Sequence, residues 1–228
     1  MFKVDWERLQ KSSESGLMLR VALAVNDIGS ANYLLLHAIS NDFKGPDEMS
    51  NGLLLYGIRL RCGHLHEVAQ LIGKIQNTQS LERFIEDMSS DVQEKYLQLQ
   101  RIQKGGDDFE TYERHISTVR DKLIFHYDKG EICLALGQTI HNNGESYGSV
   151  ATEEDDTYTR FILADTIMRR ELCSVVWGVE NTTSEEIDSL LIRTLDLTHA
   201  WVHAFHVFGT ELCTRYFAGL QPEVRKKA

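Results

Sequence analysis

Arg120, Asp121 and His126 lie in one stretch near the middle of the chain, Thr118-Val119-Arg120-Asp121-Lys122-Leu123-Ile124-Phe125-His126-Tyr127-Asp128. Their types suit the cleavage of RNA without a metal. That reaction needs a group to move a proton and a cation to hold the charge that develops on the phosphate. Histidine serves the first purpose because its ordinary pKa of about 6.5 lies near working pH. Arginine serves the second through its planar fork of donors. The 2′-hydroxyl of the RNA is then the nucleophile, so the protein need not supply one.

Spacing constrains this chemistry. Six residues at about 100° each leave Arg120 and His126 roughly 120° apart around a regular helix and about 9 Å apart along it. They do not stack as residues three or four apart do. Convergence on one phosphate therefore requires the long arginine side chain, a local distortion of the helix, or a second subunit. A dimer meets the requirement most simply, because two copies face each other across the axis. A purely structural reading also exists. In it His126 is a buried histidine bonded to a carboxylate, and Arg120 is a surface residue paired with Glu113 or Asp121.

Arg120-Asp121-x4-His126 resembles the signature of the HEPN superfamily, all-helical proteins many of which are metal-independent ribonucleases. The resemblance implies an antiparallel bundle of about five to six helices. It also implies that Arg120 binds the scissile phosphate and that His126 acts as acid or base in a cleft made by both subunits of a dimer. Asp121 matches the polar residue that commonly follows the arginine. Tyr127 stands beside the histidine as a supporting neighbour, without a catalytic role of its own. The implied partners are an RNA substrate, a second copy of the chain, and an antitoxin or other regulatory protein. A toxin or phage-defence role comes from the resemblance alone. Members that have lost catalysis serve as binding modules, so a non-catalytic interaction protein of the same fold is the rival expectation.

A second constellation is Asp196, His199, His203 and His206, spaced 3, 4, 3 on the last helix. Histidines four apart on a helix can bind a transition metal, and helical bundles build metal sites from facing helices. His64 and Glu67, with His66 between them, would be the facing set. No H-E-x-x-H motif supports this, so a metal-binding bundle is the third expectation and the leading one carries no cofactor. Arg59/Arg61 and Arg169/Arg170 would add phosphate contacts if they border a cleft. Trp6, Trp177 and Trp201 are too scattered to read as a base-stacking platform. No G-x-x-x-x-G-K or G-x-G-x-x-G occurs, so those nucleotide-binding routes have no support.

Composition bounds these readings. The 228 residues carry 24 basic and 34 acidic side chains, a formal charge of −10. That balance argues against a broad, non-specific nucleic-acid surface, since phosphates are met largely by Lys and Arg. A small basic cleft remains compatible with it. Apolar content of 42% with 25% charged residues is that of an ordinary globular protein. Cys62, Cys133, Cys173 and Cys213 form no C-x-x-C pair and read as buried thiols in a reducing compartment. The opening Met1-Phe2-Lys3-Val4-Asp5-Trp6 lacks the apolar core of a secretory signal, and no apolar run is long enough to span a bilayer. The expectation is a cytoplasmic protein with no membrane contact.

The elements that must hold these residues are helices. Only Pro46 and Pro222 interrupt the chain. A short leading helix is expected over 5–11. A long one starts near Ser13 or Ser15 and runs to about Ile39, through Leu17, Val21, Ala24, Val25, Ile28, Ala31, Leu35 and Ala38. Asp47 opens another to about Gln76, in which Gly52, Gly57, Gly63 and Gly73 mark close packing. A third covers about 79–103 with a break at Ser89-Ser90, and Gly105-Gly106 ends it. Phe109, Tyr112, Ile116, Val119, Leu123 and His126 step 3, 4, 3, 4, 3 along the helix that bears the motif. Residues 142–156 read as a loop with a short extended piece, and helices are expected over about 157–178 and 184–218. Residues 1–145 are thus read as the bundle core, with 146–228 adding a loop and two helices to the same domain.

Overall fold

The computed structural model describes residues 6–39, 47–121, 150–152, 159–161 and 184–220. Its helices are α1 (Trp6–Lys11), α2 (Ser15–Ile39), α3 (Asp47–Gln76), α4 (Gln79–Glu86), α5 (Ser90–Gln100), α6 (Phe109–Tyr112) and α7 (Ser184–Gly219). The fold is all-α, as the period of the apolar residues implies. α6 continues directly into a π-helical turn, Glu113–Ser117.

One small sheet interrupts the pattern. β1 (Val150–Thr152) and β2 (Thr159–Phe161) pair antiparallel, with Val150 opposite Phe161 and Thr152 opposite Thr159. β1 lies inside the expected loop. β2 overturns the start of the helix expected from about 157. Thr157-Tyr158-Thr159-Arg160-Phe161 is rich in β-branched and aromatic residues, which lose side-chain freedom in a helix and pack well in strands. The rest of the expected 157–178 helix, and the stretches 122–149 and 162–183, lie outside the described residues.

The chain divides into two units, each assembled from separate stretches. One takes residues up to Ile28, Glu67–Phe109 and Ala200 onward; the other takes Gly29–His66 and Glu110–His199.

In the first unit, Met18, Val21 and Ile28 of α2 are buried, as are Val68, Ile72 and Ile75 of α3, Leu81 and Ile85 of α4, and Phe205, Phe208 and Leu212 of α7. The ring of Tyr96 on α5 stacks on Phe208 with centroids 4.8 Å apart. The break between α4 and α5 falls at Asp87–Ser89, where Gln93 Nε2 donates to the carbonyls of Glu86 and Met88. Gly105 takes a φ of +89°, a left-handed conformation that glycine adopts without a Cβ clash. It turns the chain from α5 towards α6.

The second unit holds the candidate site. Ala31 and Leu35 of α2, Leu55, Ile58, Cys62 and Leu65 of α3, Tyr112, Ile116 and Val119, and Leu191 of α7 form its buried positions. α2 and α3 approach closely at Gly57, where a Cβ would lie 2.8 Å from Leu35 Cγ and Cδ2. A side chain at this position would have to displace that of Leu35.

Candidate functional site

The helix that carries the motif packs antiparallel on α3. Tyr112 Oη and His66 Nδ1 lie 3.0 Å apart with stacked rings. One turn on, Cys62 Sγ donates to the His115 carbonyl at 3.9 Å. Partners that fall in number on α3 as they rise on the motif helix define an antiparallel register. Carried one turn further, that register sets Ile58 against Val119, both essentially fully buried. Arg120 follows immediately, at the rim of this packed face.

The backbone there departs from the regular helix assumed in the spacing estimate. Thr118 donates to the Glu113 carbonyl twice, through its backbone N–H and, at 2.9 Å, through Oγ1. Both bonds span five residues, the closure of a π turn. Arg120 and Asp121 continue in π-helical backbone. A turn closed over five residues advances less than 100° per residue, so the phase of later side chains shifts. Regular winding is thus already broken as far as Asp121, the last described residue of the motif. His126 and Tyr127 lie outside the described residues.

Arg120 is half-buried, its side chain 35% exposed, and Nη1 donates to Asp121 Oδ1 at 2.8 Å. Asp121 is one of the two partners, with Glu113, that the purely structural reading allows. Neighbouring exposed ion pairs of this kind contribute about 0–1 kcal/mol. A phosphate arriving at Arg120 would meet a guanidinium that already donates to the Asp121 carboxylate.

His115 lies five residues before Arg120 and is buried. Its pKa is pushed down first by burial, then by the charges of Arg114 and Arg193. The imidazole is accordingly neutral at physiological pH. It belongs to neither of the constellations that the sequence presents. His115 and Ile116 are the buried residues of the π turn.

Arg61 was weighed only as an outlying phosphate contact, and it too is buried. The signal was present in its spacing: Ile58, Arg61, Leu65 and Val68 step 3, 4, 3, so the arginine falls on the apolar stripe. Its partner in the doublet, Arg59, is half-buried, and Arg169/Arg170 lie outside the described residues.

The second constellation does not assemble. Asp196, His199, His203 and His206 all face solvent on α7, on the side opposite the buried Leu191, Thr198, Trp201, Val202 and Phe205. His64 and His66 are half-buried and Glu67 is exposed. No group of three or more His, Cys, Asp or Glu side chains that could hold a metal ion occurs among the described residues.

Of the four cysteines, Cys62 and Cys213 are free and buried. Burial pushes each thiol up to about 12, so neither is a nucleophile near neutral pH. Cys133 and Cys173 lie outside the described residues. Trp201 is buried as a packing residue. No described helix is long and apolar enough to cross a membrane. No family model, curated protein or solved structure matches the chain.

Proposed function

We propose that the chain is a metal-independent endoribonuclease of HEPN type, acting as a homodimer. The observation that carries this reading is the setting of Arg120 in the Arg120-Asp121-x4-His126 motif. It is a half-exposed guanidinium in a mainly helical unit, on a helix whose regular winding is broken by a π turn. Such turns are frequent at functional sites. Arg120 is solvent-accessible enough to meet a phosphodiester, and the net charge of −10 favours a local contact over an extended basic surface.

In the reaction, a base removes the proton of the 2′-hydroxyl while its oxygen attacks phosphorus. The bond from phosphorus to the 5′-oxygen breaks, and that oxygen takes up a proton. The products are a 2′,3′-cyclic phosphate and a 5′-hydroxyl end. His126 supplies proton transfer, and a second copy of the chain would supply a second histidine for the opposite step. Arg120 holds the negative charge that grows on the non-bridging oxygens. The test is RNA cleavage in EDTA by the parent, Arg120→Ala and His126→Ala proteins.

A second reading is a non-catalytic interaction module with the same helices. Two observations favour it. The Arg120–Asp121 pair already gives the arginine a structural partner. Tyr33, Leu36, Ile39, Tyr56 and Ile192 of the second unit are exposed apolar or aromatic side chains, the composition of a surface that meets another protein. The same assay separates the two, because a binding module leaves RNA intact.

A further inference from the structure

Arg61 sits among residues that are there to exclude water. Ile58, Leu65 and Val68 on the same stripe of α3 are at most 1% exposed, and Arg61 itself is 5% exposed. Its Nε and Nη2 are buried and make no hydrogen bond. None of the ion pairs formed among the described residues reaches it. The ionisable neighbour that acts on it is Cys62, which burial keeps protonated.

An arginine cannot relieve this burial by losing its proton. A buried charge is ordinarily paired, and one left uncompensated is strongly unfavourable. The chain has 34 carboxylates, yet among the described residues none is delivered to this guanidinium. The two orphaned atoms are also the informative ones. Nε and Nη2 form the edge of the fork that gives two parallel N–H bonds to a carboxylate or phosphate.

We infer that Arg61 is the recognition group of a buried site for a small oxyanion, whose two oxygens accept from Nε and Nη2. A side chain covered to this extent cannot meet the phosphate of a polymer, so the ligand class is inorganic phosphate or a small carboxylate. Both offer the same two-oxygen edge. The site is independent of Arg120 and of the ribonuclease reading.

Thermal melting of the full chain tests it, in chloride, phosphate and acetate buffers of equal ionic strength with each anion at roughly 10 mM. Phosphate or acetate raises Tm by several degrees over chloride, and the more effective of the two identifies the source. Arg61→Met abolishes that rise. In chloride it melts at or above the parent temperature, because an uncompensated buried charge has given way to an apolar chain of similar length. Arg61→Lys keeps the charge but loses the fork, so the midpoint of the anion titration moves about tenfold higher. Identical melting of the parent in all three buffers overturns the inference. So does an anion response that survives in Arg61→Met. An Arg61→Met chain that melts far below the parent in chloride, or fails to fold, also overturns it by showing that the arginine has a partner within the fold.

Discussion

Three hydroxyls surround Glu14. Ser80 Oγ donates to Oε1 at 2.6 Å and Ser12 Oγ to Oε2 at 2.9 Å, and Ser13 adds a third bond. Together they hold the carboxyl down at about 2, below its ordinary 4.5. A carboxylate whose folded pKa is depressed contributes stability that is fully present above the unfolded value. That stability is lost as pH falls through the folded one. The melting temperature of the parent should therefore exceed that of Glu14→Gln above pH 4.5, and the two curves should converge as pH approaches 2. A difference independent of pH would assign the effect to packing instead. At the same scale, the pairing of Arg120 with Asp121 was legible in the sequence as one of two alternatives, beside Glu113. The isolation of Arg61 was not. Its position on an apolar stripe could be counted, but whether a tertiary neighbour brings it a carboxylate depends on which helices surround it.

Among the elements, helix positions were the most readable part of the chain. α2, α3 and α7 begin and end within about two residues of the expected bounds, because long apolar stripes at helical period specify a helix strongly. The break between α4 and α5 was also expected near Ser89-Ser90. β2 was hidden because its three residues make less than one helical turn, too few to reveal a period of their own. The π turn was invisible for a different reason. Tyr112, Ile116 and Val119 keep a helical apolar spacing in the sequence, so nothing there marks the five-residue closure between Glu113 and Thr118. Gly57 tests the packing of α2 on α3. Alanine gains helix propensity of about 1 kcal/mol, but its Cβ meets Leu35, and overpacking of a filled core costs about 1–3 kcal/mol. Gly57→Ala should lower Tm by roughly 2–4 °C, the shift produced by a net loss near 1 kcal/mol in a chain of this size. Gly106→Ala should lower it further, because there the added Cβ meets the Arg101 backbone rather than a side chain. Calorimetry on the two variants checks the order, and an unchanged Tm for Gly57→Ala would show that Leu35 repacks without cost.

For the whole molecule, the proposed ribonuclease reaction requires a second copy of the chain to complete the candidate centre. Sedimentation at micromolar concentration should give about twice the chain mass, since a single motif supplies one histidine for two proton transfers. A strict monomer would favour the interaction-module reading. The measurement that bears most directly on the central proposal is cleavage of single-stranded and structured RNA in EDTA, with end-group analysis of the products. The proposal predicts 5′-hydroxyl ends from the parent. It also predicts a rate loss on the order of 10²–10⁴ in His126→Ala, the usual cost of removing a proton-transfer group. A comparable collapse should follow in Arg120→Ala, with both variants melting close to the parent. A folded, dimeric parent that leaves every RNA intact would contradict the proposal, as would Arg120→Ala and His126→Ala proteins that cut as fast as the parent.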